Sequence, residues 1–151
     1  LSDWSSDVCS SDLSEAIFIG YQAGYLATDA QYATIIGYSA GIDAINAYNA
    51  TFVGIGAGEN ATNANNAVFL GASAGSAADN ASHSNFIGVT AGNQATNASY
   101  SNFIGQQAGE EAIDAYESNF IGILAGSQAA NANDSNFIGT YAGYNAGNAN
   151  D

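Results

Sequence analysis

Large apolar residues recur along this chain at one fixed interval. Phe18, Ile35, Phe52, Phe69, Phe86, Phe103, Phe120 and Phe137 follow each other every 17 residues, without an insertion or deletion. The next position is always aliphatic, from Ile19 to Ile138, and glycine always follows it, from Gly20 to Gly139. Three residues on stands an unbroken Ala column, Ala23 to Ala142, and directly after it a second Gly column, Gly24 to Gly143. Two further Ala columns run from Ala27 to Ala146 and from Ala30 to Ala149; between them lies a column that is always Asn or Asp, Asp29 to Asn148. In one unit the fixed positions are Phe86, Ile87, Gly88, Ala91, Gly92 and Asn97, and the fragment Asn85 to Gly92 reads NFIG-x-x-AG.

Gapless periodicity of this kind marks a solenoid, in which each unit buries its apolar face on its neighbours. The segment Ser84 to Gly88 reads as a strand of aromatic and β-branched residues ending at a glycine free to take positive φ. The Asx column suits a left-handed turn position, and in stacked coils its side chains can form an amide ladder. The Ala columns, spaced four and then three apart, also fit a short helical turn. Against that alternative, Gly24 and its equivalents would fall inside the helix, at about 1 kcal/mol each. Helices also pack roughly 8 Å apart against about 4.8 Å for strands, so short coils would splay. The expected fold is therefore all-β: a β-solenoid or β-roll of eight 17-residue coils over residues 14–151, truncated at its C-terminal end.

Side chains alternate across a strand, so the Phe and Ile columns point to opposite faces. Both are apolar in all eight units, yet a single coil encloses only one of them. The other face predicts burial between chains, most simply in a parallel homo-oligomer.

Composition narrows the function. There is no Lys, Arg, Met or Pro, and the formal net charge is -14. Such a surface repels nucleic acid and anionic lipid headgroups, so neither is expected as a partner. No apolar run approaches the roughly 18 residues of a membrane span, so no membrane insertion is expected. The chain, with neither initiator Met nor signal peptide, reads as an internal fragment. Residues 1–13 share nothing with the repeats and hold the only Trp (Trp4) and the only Cys (Cys9). The string DWSSDVCSSDL resembles a translated sequencing adapter, as found in metagenomic reads. The alternative is a Ser/Asp-rich linker. In either case a lone Cys makes no disulfide framework.

Little in the repeats points to catalysis. His83, the only His, lies beside Ser82 and Ser84 with Asp79 upstream, but a triad draws its members from different elements rather than one turn. Gly54 to Gly58 mimics a dinucleotide loop without its following helix or distant acid. Glu110, Glu111, Asp114 and Glu117 crowd one unit, and their oxygens suit Ca²⁺. Acids change columns between units, however, so loosely bound Ca²⁺ is expected rather than a specific cofactor. The Asn-x-Ser/Thr sequons at Asn49, Asn60, Asn80, Asn97 and Asn133 come cheaply in such a composition. All nine Tyr fall outside the fixed columns, and Tyr21, Tyr25, Tyr38, Tyr48, Tyr116, Tyr141 and Tyr144 are the recognition candidates. A flat apolar face with a polar tip, among Asn and Gln, suits a carbohydrate or a cell-surface protein.

The segments Asn102 to Gly105 and Ala108-Gly109 resemble the NTFIGxxAG repeats of bacterial and phage tail-fibre-like proteins. They are similar, more distantly, to the SxAIGxxA repeats of trimeric autotransporter adhesin heads, whose period is shorter. The resemblance implies a non-enzymatic structural and adhesive segment, extracellular, on a cell surface or virion, and it favours a trimer. An ice-binding solenoid is the alternative. Thr28, Thr62 and Thr96 share a column for it, but Ile45, Asp79, Ile113 and Gly147 interrupt that column.

Overall fold

A computed structural model describes residues 15–148. The segment 1–13, with Trp4 and Cys9, lies outside the described residues, as does Ala149. Eight three-residue strands follow in order: β1 (Ile17–Ile19), β2 (Thr34–Ile36), β3 (Thr51–Val53), β4 (Val68–Leu70), β5 (Asn85–Ile87), β6 (Asn102–Ile104), β7 (Asn119–Ile121) and β8 (Asn136–Ile138). Each pairs in parallel with the next, so sheet order equals chain order. Phe86 lies opposite Phe69 and Phe103, as the period requires. The chain is a β-solenoid, and coils are numbered by their strands. Columns are named below by their residue in coil 5, residues 84–100.

Each coil is sewn to both neighbours. In coil 5 the N–H groups of Asn85, Gly92 and Thr96 donate forward to Ser101, Ala108 and Ala112 at 2.8–2.9 Å. Those of Gly88, Thr90, Gln94, Asn97 and Tyr100 donate backward, to Leu70, Ala72, Ser76, Asp79 and Ser82. A second parallel ladder of single bridges runs through the Thr96 column, from Thr28 to Gly147.

The helical spacing of alanines comes from corners. Thr90, Gln94, Asn97 and Tyr100 have φ between 52° and 62°, and each is followed by a small buried residue: Ala91, Ala95, Ala98 and Ser101. A left-handed residue turns the chain, and the next side chain points inward. The result is 4-3-3 spacing with no helix among the described residues.

The core is one aromatic ring wide. Phe52, Phe69, Phe86, Phe103 and Phe120 are fully buried, and from Phe52 to Phe137 the rings stack at 4.7–5.0 Å. That spacing is the strand repeat itself, so each ring covers the next. Alanines close the remaining walls. The two Gly columns have different causes. A Cβ on Gly92 would lie 2.2 Å from the Phe86 ring, whereas one on Gly88, where φ is 139°, would lie 2.3 Å from the Gly105 carbonyl oxygen of the next coil. One glycine makes room for the core and the other for the adjacent backbone.

The Asx column forms the amide ladder. Asn46 donates to Asn63, Asn63 to Asn80, Asn80 to Asn97, and Asn97 to Asp114, at 2.6–2.9 Å. A carboxylate only accepts, so Asp114 cannot pass the ladder on, and it resumes with Asn131 donating to Asn148.

Candidate recognition surface

Fixed columns face inward or make corners, so the surface is built from the variable columns. The outward Ile87 column is among the exceptions. Its members alternate with the Phe column along each strand, and Ile19, Leu70, Ile104, Ile121 and Ile138 are exposed. One corner on, Ile55, Val89 and Ile123 of the Val89 column are exposed too. This is the two-faced strand that the alternation of side chains predicts.

The tyrosines do not gather into one patch. Tyr21 stacks on Tyr38 at 5.3 Å in the Val89 column. Tyr32 meets Tyr48 edge-on, as Tyr100 meets Tyr116, both pairs on the corner beside the Asx ladder. Tyr141 meets Tyr144 at 5.8 Å on the last described turn, and Tyr25 shares the Tyr144 column. All nine are exposed. The most continuous aromatic ridge runs His83, Tyr100, Tyr116, because His83 stacks on Tyr100 at 4.8 Å. Amides hold its backbone: the Tyr116 N–H donates to Asn133 Oδ1, as the Tyr48 N–H does to Asn65 Oδ1. A hydrogen bond with the Glu117 carboxylate pushes the Tyr116 phenol up from its ordinary value.

The residues that suggest chemistry are turned to other tasks. Ser82 donates its hydroxyl to the Asn63 carbonyl, and Ser84 donates to the Ala98 carbonyl inside the core. Asp79 accepts from the Thr62 hydroxyl. With His83 stacked on Tyr100, these side chains do not assemble as a triad. Gly54 and Gly58 occupy the two ordinary glycine corners, and turns follow them. Glu110 accepts from Gln107, Glu111 from Gln128 and Asp114 from Asn97, while Glu117 meets Tyr116. The four carboxylates are thus directed to four different partners, and no group of three or more metal-ligating residues occurs among the described residues. At the sequons, Asn49, Asn80 and Asn97 already donate their amides along ladders. The Thr96 column, read for ice binding, carries backbone bridges, and one of its hydroxyls, Thr62, is held by Asp79.

Two features escaped the sequence reading. The Asn85 column makes a second ladder, Asn85 to Asn102 to Asn119 to Asn136, at 2.7–2.9 Å. Charge is also segregated. The acids of residues 15–148 all lie in the columns of Asn93, Gln94, Thr96, Asn97 and Tyr100, and none lies beside the strands. Sorting Asp and Glu by column would have revealed it. No family model, curated protein or solved structure gives a significant match to this chain. No helix among the described residues is long and apolar enough to cross a membrane.

Proposed function

We propose that this chain is a structural and adhesive segment of an extracellular fibre or surface adhesin. The carrying observation is the division of labour between columns: Phe, Ala, Gly and Asx hold a continuous hydrogen-bonded scaffold, while Tyr, Asn and acidic side chains vary on its outside. A scaffold that repeats its interior and varies its exterior suits extended contact, because each coil sets out new side chains about 4.8 Å from the last. The resemblance to tail-fibre-like repeats points the same way. The proposed ligand is a surface carbohydrate, met by the His83–Tyr100–Tyr116 ridge and its neighbouring amides, since exposed rings beside hydrogen-bonding groups suit sugar rings. Beads coated with the chain, and so multivalent, would be applied to immobilised glycans and to intact cells. Capture should fall at least about tenfold in Tyr100→Ala/Tyr116→Ala with an unchanged circular dichroism spectrum, as expected when stacking contacts are lost. No capture on any surface, or capture indifferent to both tyrosines, would reject the reading.

A further inference from the structure

The aromatic ridge runs into acid. One corner column holds His83, Tyr100, Glu117 and Asp134 in coils 4 to 7, all four exposed. Their φ values lie between 56° and 62°, so one corner geometry sets the four out about 4.8 Å apart. Tyr116, one residue before Glu117, meets Tyr100 edge-on at 5.6 Å. The Asp134 N–H donates to the Tyr116 carbonyl at 2.9 Å, which seats Asp134 on the next rung. The hydrogen bond with Glu117 holds the Tyr116 phenol above its ordinary value, and the charge of Asp134 adds to the effect. Two rings and two carboxylates thus share one corner. Tyr32 and Tyr48 stand in the same two columns and also meet edge-on, at 5.4 Å. Beyond Tyr32, however, the column continues with Asn49 and Asn66 in place of Glu117 and Asp134, and its acid in that half, Glu15, lies on the far side of Tyr32.

We infer that the Tyr100–Tyr116 corner takes an amino sugar, a glycan whose ring lies on a tyrosine and whose ammonium is held by Glu117 and Asp134. This rests on the adhesive reading and names the class of carbohydrate met at the same ridge. An ammonium group is attracted both to the face of a tyrosine and to a carboxylate, and this corner offers the two side by side. The chain has no Lys or Arg to occupy those carboxylates. His83, its one other side chain able to carry positive charge, lies two coils before Glu117 and is stacked on Tyr100. A sugar bearing a carboxylate or sulfate is repelled by Glu117 and Asp134, and by a formal net charge of -14. A neutral sugar gains nothing from either acid, so the acids single out the amine.

Beads coated with the full chain test it on immobilised glucosamine oligomers and on their N-acetylated counterparts, at about pH 6, where the carboxylates are ionised and the amine is cationic. The amino form should be captured at least about tenfold better, because a cation–π contact and an ion pair act together and the beads multiply both. Glu117→Gln/Asp134→Asn should lose that preference with an unchanged circular dichroism spectrum. Tyr100→Ala/Tyr116→Ala should lose capture of the amino form. Glu110→Gln/Glu111→Gln removes the same charge from other columns of coil 6 and should keep the preference. Three results would overturn the inference: N-acetylated oligomers captured as well as the amino form, a preference lost equally in the Glu110 and Glu111 variant, or amino-form capture indifferent to the tyrosines. Capture of other glycans with none of the amino form would overturn it and leave the adhesive reading in place. No capture on any surface would overturn both.

Discussion

Coils 1–4 and coils 5–8 share every fixed column and differ beside the strand. Where the first half has Ala33, Ala50 and Ala67, the second has Ser84, Ser101, Ser118 and Ser135; where the first has Ile17, Thr34, Thr51 and Val68, the second has an Asn ladder. In the first half the Ala67 N–H closes its turn directly on the Ala64 carbonyl at 3.2 Å. In the second half a hydroxyl enters that bond. Ser84 Oγ accepts from the Ser101 N–H and donates to the Ala98 carbonyl, at 3.1 and 2.6 Å. The arrangement recurs when Ser101 accepts from the Ser118 N–H and donates to Ala115. The serine does what a buried water does elsewhere, bridging a donor and an acceptor. One coil geometry thus accommodates a dry corner and a bridged corner, and the Phe stack beside them does not change.

The Phe stack should respond alike in both halves, and most strongly. Phe52→Ala and Phe103→Ala should each cost about 3–5 kcal/mol in urea unfolding, with little difference between them. Phe103→Asp should cost several kcal/mol or abolish folding, because its charge would be buried unpaired. A Phe103→Asp chain as stable as the parent would remove that column from the core. Asn102→Val gives the second half the strand face of the first. It breaks the bonds from Asn85 and to Asn119, at about 1 kcal/mol, whereas Val68→Asn should extend the ladder to Asn85 at little cost.

Thr90 sharpens the comparison from the other side. It is β-branched at φ 52°, and its buried hydroxyl has no hydrogen-bond partner. The first half holds Gln22, Ser39, Gly56 and Ser73 in this column, so a glycine is accommodated there, and Thr90→Gly should raise stability by about 1 kcal/mol. Ser101→Ala should cost less than about 1 kcal/mol, despite complete burial, because the turn can revert to the direct bond of coils 2–4. A loss above about 2 kcal/mol would show that the direct bond does not re-form. Tyr116→Ala should change stability by less than about 0.5 kcal/mol. Glu117→Gln should move the ultraviolet titration of Tyr116 down toward that of an ordinary phenol, because the carboxylate that opposes the phenolate is gone.

Much of this fold is written in the sequence, because its constraints repeat in fixed columns. Phe103, Gly105 and Gly109 recur wherever a ring, a neighbouring backbone and a corner demand them. The Asn97 column was legible because its residue must both adopt a left-handed backbone and join a ladder. The other corners were not. Leu124, Tyr141 and Glu117 also have positive φ, but nothing in such residues announces it. The bridge ladder through Thr28, Ile45 and Asp79 was hidden for a related reason: its pairing uses backbone atoms, so the outward side chains are free to vary. The residues proposed for recognition were legible only as exceptions to the period, so nothing in the fixed columns bears on what they contact.

Registration between coils has a consequence for how the length of such a molecule can change. Every backward bond, such as Gly88 to Leu70, and every forward bond, such as Asn85 to Ser101, presumes a neighbour shifted by one whole period. Excising residues 85–101 would rejoin Ser84 to Asn102 and leave all later bonds intact, in a rod one rung shorter by about 4.8 Å. Excising one residue fewer would leave one coil a residue too long at the cut, where inward and outward side chains no longer match the neighbouring coil. The protein is a ruler graduated in coils, and only whole divisions can be added or removed without a fault at the join.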